Sequence, residues 1–231
     1  MFSQLVDEVI EETKRGDKIK SIVRYANQII QTIHSKNDFD RDQYEVRASN
    51  TVPDSVLVWP RPRNFRKMKT ARVNGMQART ATFVSPGRDL GRIDWEYYYY
   101  ADESYVFCAD GISHIDIMYY GKPPLFTYFP KGKEPAKWCP EEDNGKGAWR
   151  FLDGAGKEHV RSVGTPDVEH WAKYRVTDWL LEEYGYVIHW GVINLLATAT
   201  EMEELRRSSY AAFSEGVKDI IRDNACSSTN D

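Results

Sequence analysis

Cysteine is scarce in this chain, with three in 231 residues, at positions 108, 139 and 226. An odd number at such wide spacing builds neither a disulfide framework nor a zinc site, and it suits a reducing compartment. Histidine is also thin: the five, at 34, 114, 159, 170 and 189, include no His-x-x-x-His pair of the kind that grips a metal from one helix face. No apolar run approaches the ~20 residues of a membrane-spanning helix. The N-terminus, MFSQLVDEVIEETKR, has acids where a signal peptide has its apolar stretch. These absences lead to the expectation of a protein made and folded in a cytosol, with no membrane anchor. A net charge of −4 provides no global field to attract nucleic acid. Acids, in turn, are missing between Ser55 and Arg88, where eight cations stand: Arg61, Arg63, Arg66, Lys67, Lys69, Arg72, Arg79 and Arg88. The segment from Glu201 to Asp231 has the opposite bias, seven acids against four bases.

What the chain does have is helical periodicity at both ends and a middle rich in aromatics, proline and glycine. Phe2, Leu5, Val6, Val9 and Ile10 recur at helical spacing until Gly16. Asp17 then reads as the N-cap of a second helix, with Ile19, Ile22, Val23, Ala26, Ile29, Ile30 and Ile33 as its apolar stripe. The two should form a helical hairpin over residues 1–36, which needs further helices to cover that stripe. Helical patterning returns over 177–224: a short helix at 178–184 ending at Gly185, an apolar helix at 187–199, and an amphipathic one at 201–223. Residues 225–231 read as a flexible tail. Between the ends, residues 37–176 read as an inserted antiparallel β domain. Its short runs at 56–58, 79–84, 93–100, 105–108, 114–120 and 125–129 are β-branched or aromatic. The stretch from Tyr105 to Ile117 reads as two strands joined by a turn at Asp110-Gly111, residues 131–147 as an exposed loop, and 149–152 and 160–163 as further strands. The expected class is α+β, a helical bundle carrying a β insertion.

The chemistry-bearing residues form no motif that would make this an enzyme, and no metal or cofactor is expected. Cys108, His114 and Asp116 lie on the expected hairpin, where a nucleophile and a base can meet across strands, but nothing marks the cysteine as activated. Asp38, Asp40 and Asp42 alternate like the start of a calcium loop, yet Gln43 replaces its glycine and Ser49 its closing glutamate. Gly154-Ala155-Gly156-Lys157 lacks the spacing of a phosphate loop and reads as a turn. Asp94 and Glu96, within Ile93-Asp94-Trp95-Glu96-Tyr97-Tyr98-Tyr99-Tyr100, are the carboxylates a carbohydrate-binding or cell-wall-hydrolysing β domain would use. The same aromatics suit a subunit interface: Trp95, Tyr97, Tyr98 and Tyr99, with Tyr119 and Tyr120 further on. The basic run Arg61, Arg63, Arg66, Lys67 and Lys69 suits contact with an acidic protein surface. As a nucleic-acid-binding module, the alternative, it would extend from 61 to 72.

In order and pattern the chain resembles the head-to-tail adaptor, or connector, proteins of tailed bacteriophages, including the tail tubular A proteins of short-tailed phages. The residues that carry the resemblance are Leu5-Val6-Asp7-Glu8-Val9-Ile10 before a Gly-Asp break, Ile115-Asp116-Ile117-Met118-Tyr119-Tyr120-Gly121-Lys122-Pro123-Pro124, and Asp178-Trp179-Leu180-Leu181-Glu182-Glu183-Tyr184 followed by an apolar helix. The charged stretch 131–147 and the polar tail depart from the pattern. The resemblance implies a structural virion protein at the head–tail junction, assembled in the host cytoplasm. It implies a ring of about twelve copies, contacting itself, the portal protein and a tail nozzle or other tail proteins, and enclosing the channel for passing genomic DNA without binding it specifically. It also implies that Ser227, Ser228, Thr229, Asn230 and Asp231 dock on the portal as an extended arm. Glu201, Glu203 and Glu204 are candidates for an acidic channel lining that avoids phosphate adhesion.

Overall fold

The structure is a computed structural model, and it describes residues 1–80, 97–101, 103–131, 133–135, 137–140, 146–152, 158–161 and 168–227. The expectations for Asp94, Trp95 and Glu96, for residues 154–157, and for Ser228, Thr229, Asn230 and Asp231 lie outside the described residues. Along the chain run α1 (Phe2–Thr13), α2 (Ile19–Lys36), β1 (Gln43–Pro60), β2 (Phe65–Val73), β3 (Met76–Gln77), β4 (Arg79–Thr80), β5 (Tyr97–Ala101), β6 (Ser104–Gly121), β7 (Lys137–Cys139), β8 (Ala148–Leu152), β9 (Glu158–Arg161), α3 (Val168–Tyr174), α4 (Trp179–Ala199) and α5 (Glu203–Ser227). The class is α+β. The chain divides into two compact units: Met1–Asn37 together with Pro123–Asp231, and Asp38–Lys122.

In the first unit α1 ends where Lys14 turns left-handed (φ 54°), and a single tight turn, Gly16–Lys18, leads into α2. Asp17 does not cap α2 as expected. Its carboxylate accepts two hydrogen bonds from the Arg15 guanidinium, at 2.9 and 3.0 Å, which hold it below the ordinary carboxylate range; α2 begins with no side-chain cap. The two C-terminal helices expected over 178–199 are present as the two halves of α4, divided by a kink at Tyr184 (φ −124°, ψ 29°). Asp178 starts it by accepting the Leu180 N–H at 3.0 Å.

α4 is largely apolar, with Leu180, Leu181, Val187, Ile188, Val192, Ile193, Leu196 and Ala197 all buried and only positions such as Glu182, Glu183 and Thr198 exposed. A helix of that kind needs neighbours over most of its surface. It touches α1, α2 and α5. At Gly191 a Cβ would come within 2.8 Å of Ile29 on α2 and 2.9 Å of Phe213 on α5, and at Gly216 within 2.6 Å of Val187, so the helices approach more closely than side chains would permit. His34, fully buried at the end of α2, binds Asp178 through Nε2 at 3.1 Å and meets the Trp179 ring edge-on. That contact ties α2 to the start of α4.

Residues 125–129 form no strand among the described residues, correcting the expectation. Pro123 and Pro124 cannot donate to a ladder, and the extended chain beyond them lies on α1 and α2. Phe126 stacks on Phe2 with ring centroids 5.0 Å apart. Asn27 on α2 brackets Phe126, accepting its N–H at 2.8 Å and donating to its carbonyl at 3.1 Å. On α1, Ser3 accepts the Phe129 N–H at 3.0 Å, and Asp7 accepts the Tyr128 hydroxyl at 2.7 Å. These contacts place everything after Lys122 in the helical unit, whereas the expected insertion ran to 176. Nor is 131–147 wholly an exposed loop: β7 pairs with β8, and β8 with β9, with Trp138 set edge-on against Trp149.

The second unit is organised by β6. On one edge β1 pairs with it from Gln43↔Tyr120 to Pro60↔Ser104; on the other, β2 takes its second half and β5 its first. Tyr105 to Ile117 is thus one strand, not a hairpin. Gly111 (φ 65°) bends it where β1 shifts register, the role of a bulge glycine. The tight turn is elsewhere, at Asn74-Gly75 (φ 50° and 87°) between β2 and β3, which has the signs of a type I′ hairpin. Asn74 also holds the bend in β6: its Oδ1 accepts the Ser113 N–H at 2.9 Å and its Nδ2 donates to the Gly111 carbonyl at 3.2 Å. The core includes Leu57, Trp59, Phe65, Val73, Phe107, Ile112, Ile115, Ile117 and Tyr119.

Two measurements test this packing. His34→Ala leaves Asp178 with the Leu180 N–H but without its imidazole partner and should lower stability by about 1–3 kcal/mol, read as the urea midpoint; an unchanged midpoint would show the contact to be incidental. Burial and the Asp7 carboxylate push the Tyr128 hydroxyl up to about 12. Its neutral form is therefore favoured in the folded state, and the resulting stability is present below pH 10 and lost as pH rises from 10 towards 12. Tyr128→Phe should flatten that part of the alkaline decline, and a decline of the same slope in both proteins would refute the assignment.

Candidate interface surfaces

The basic run singled out in the sequence occupies β2 and the turn before it. Its charges are largely answered within the same unit. Arg66 reaches Asp38 at 3.2 Å and Asp42 at 3.9 Å, Lys67 reaches Asp38 at 2.6 Å, and Lys69 reaches Asp40 at 3.5 Å. Asp38, Asp40 and Asp42, whose alternation suggested at most a solvated loop, are thus counter-ions of the strand. Among the described residues no group of three His, Cys, Asp or Glu side chains is placed to hold a metal ion. Arg66 is the deepest of these cations, with Nε and Nη2 buried and lacking hydrogen bonds. Its guanidinium lies 5.2 Å from the Tyr120 ring centroid, with the Lys69 ammonium 5.7 Å from the same ring. Arg61 lies over Phe65 at 5.5 Å. Arg63 and Arg72 are exposed and have no carboxylate of the described residues within 4.0 Å.

The aromatic candidates divide three ways. Tyr119 and Tyr120, expected at an interface, are buried at 3% and 7% exposure. Tyr119 packs among Tyr44, Trp59 and Phe65, and burial raises its hydroxyl above the ordinary tyrosine range; Tyr120 lies beneath Arg66 and Lys69. Both are internal because side chains of the flanking segments close over them, Tyr44, Trp59 and Phe65 on Tyr119 and Arg66 and Lys69 on Tyr120. Tyr97, Tyr98 and Tyr99 stand on β5 opposite Cys108, Phe107 and Val106, and Trp95 lies outside the described residues.

The proposed meeting of Cys108 with His114 and Asp116 fails. Six residues of continuous strand put Cys108 about 20 Å from His114, and Cys108 is buried. His114 instead stands 3.8 Å from Asp116. Asp116 belongs to a cross-strand row between Arg47 on β1 and Arg72 on β2, with Arg47 at 3.1 Å. This row, with Glu45, Thr70 and Met118, lines a shallow groove of about 490 Å³ on the sheet. The alternation of charge along Glu45, Arg47, Thr70, Arg72 and Asp116 was the signal available in the sequence for it.

At the C-terminal end, Glu201 (φ 56°) sits in the turn before α5. Glu203 accepts hydrogen bonds from Arg206 at 2.8 and 2.9 Å and from Arg207 at 2.9 Å, which lower its carboxyl below the ordinary range. Glu204 is exposed. Ser227, expected in the flexible tail, is the last residue of α5. No helix among the described residues is long and apolar enough to cross a membrane.

Neither a protein-family model nor a curated protein matches the chain. The two kinds of cation on the basic face separate by mutation: Arg66→Ala, which strips a buried ion pair and ring contact, should destabilise the unit by about 2–3 kcal/mol. Arg63→Ala, at an exposed site, should stay within ~0.5 kcal/mol. Equal losses in chemical denaturation would contradict the anchoring role of Arg66.

Proposed function

We propose that this chain is a non-enzymatic structural component of a tailed-phage virion, a ring subunit that joins the portal vertex to the tail around the DNA exit channel. The observation that supports this reading is the division of the chain. Both termini contribute to one helical unit, and a strand-rich unit of its own core is inserted between them. Such a subunit has two chemically different bodies, one for packing beside its neighbours and one for meeting a different protein. Rings need heterologous contacts that close after a fixed rotation, and repetition round the ring makes weak contacts collectively strong.

The same geometry favours a protein-facing role over the nucleic-acid alternative for the basic strand. Arg66, Lys67 and Lys69 already have carboxylate partners, so few cations remain to release counter-ions from a duplex. The portal protein and the tail nozzle or other tail proteins are the proposed partners.

Mixing the purified protein with portal-bearing capsids, or with isolated portal rings, and imaging by electron microscopy tests the reading. A discrete additional ring beneath the portal is expected, weakened or lost when residues 227–231 are removed. Protein that never decorates the portal, in either preparation, would overturn it.

A further inference from the structure

Charge is sorted between the first two helices. α1 holds Asp7, Glu8, Glu11 and Glu12 and no lysine or arginine; α2 holds Lys20, Arg24 and Lys36 and no acid. Neighbouring helices of opposite sign commonly pair those charges across their seam, yet no ion pair joins α1 to α2 among the described residues. The seam is apolar, and the charges are carried elsewhere.

Helix contacts determine where. α1 and α2 touch each other and both touch α4, and three rods in mutual contact turn their outer faces in different directions. The extended chain at 123–130 bears on both α1 and α2 through Ser3, Asp7 and Asn27, so it occupies the space beside their seam. Left uncovered are two stripes. On α1 these are Gln4, Glu8 and Glu11, at i, i+4 and i+7; on α2 they are Lys20, Arg24, Gln28 and Gln31, at i, i+4, i+8 and i+11. All are exposed.

Partners within the chain account for only some of these groups. Asp7 accepts from Tyr128, and Glu12 is 2.8 Å from His189. Among the described residues Glu8 accepts only the Gln4 amide, at 3.0 Å, and Glu11 and Lys20 have no hydrogen bond or ion pair, while Arg24 lies over the ring of adjacent Tyr25 at 5.1 Å. Two unanswered acids one turn apart on α1 therefore match two unanswered cations one turn apart on α2, each pair spaced ~5 Å along its helix.

We propose that the outer face of α1 docks on the outer face of α2 in the next copy of this chain, with Glu8 and Glu11 opposite Lys20 and Arg24. The partner is a second copy because every copy carries both halves of the match. Because the two halves point in different directions, one copy cannot satisfy itself. A two-fold contact of α1 on α1, or α2 on α2, would set like charges together. With the two faces turned in different directions, one partner copy does not meet both at once, so the arrangement is head-to-tail, the kind that propagates or closes into a ring. Closure rests on the ring reading above; the contact itself does not. Exposed ion pairs are individually weak and screened by salt, so association strengthens as ionic strength falls.

Sedimentation velocity across concentration, at low and high ionic strength, tests this with two charge-reversed proteins, E8K/E11K and K20E/R24E. The wild type should associate at low salt and dissociate at high salt. Each variant alone presents like-charged faces and should associate at least about tenfold more weakly. An equimolar mixture of the two variants should associate again, since every α1–α2 contact between unlike copies regains opposite signs. Circular dichroism melts, expected to be unchanged at these exposed sites, exclude unfolding as the cause. Wild-type protein that stays monomeric at low salt, variants that associate as the wild type does, or a mixture that fails to recover would each overturn the proposal. If both variants still decorate portals with undiminished occupancy, the ring survives and the α1–α2 contact falls. Loss of decoration by all proteins while low-salt association persists removes the virion reading and leaves the contact standing.

Discussion

The helical unit is arranged around the need to cover most of the surface of α4. A stripe-faced helix can rest on one neighbour, but Trp179–Ala199 carries buried apolar side chains over most of its surface, and leaving them wet would be costly. α1 and α2 come to one side of it and α5 to another, and the glycines at 191 and 216 allow them close enough to exclude water. The His34–Asp178 contact then sets where α2 ends against the start of α4. Once those helices are spent on α4, the outer faces of α1 and α2 are left polar and of opposite sign.

The strand-rich unit has a comparable centre in β6, which is paired on both edges over most of its length. A strand so placed has its backbone groups satisfied, and its alternate residues build the core with Trp59, Phe65 and Val73. The basic strand β2 is held to it, and three of its cations, Arg66, Lys67 and Lys69, are paired with the aspartates of the segment leading into β1. Its charges contribute more to fixing that segment than to projecting a field outward.

Legibility in the sequence followed the kind of order involved. Four helices of the first unit were readable because their apolar residues repeat at helical spacing, whereas α3, Val168–Tyr174, lies where β structure was expected; the strands at 148–152 and 158–161 were close to their expected places. The strands of the second unit were less so. β1 is interrupted by a shift of register and by Pro53, which blurs its period, and Asp110-Gly111 has the same dipeptide chemistry whether it turns a chain back or only bends it. Asn74-Gly75, flanked by Val73 and Met76, was the clearer hairpin signal. Leu125, Phe126 and Phe129 have strand-like composition, but Phe126 and Phe129 are buried by docking on helices, with no ladder to explain them.

By itself the sequence determined the α+β class, the helical ends, the absence of a metal-binding or catalytic motif, and the uneven spread of charge, because composition and local periodicity are enough for each. Tertiary structure alone decided that the insertion ends at Lys122, that Tyr119 and Tyr120 are internal, that Asp38, Asp40 and Asp42 answer the cations of β2, and that the charges of α1 and α2 face outward. Those outcomes depend on which distant segments meet, through Asn27 and Phe126 or Arg66 and Asp38. No local pattern encodes a contact between residues tens of positions apart until the chain has folded around its buried groups.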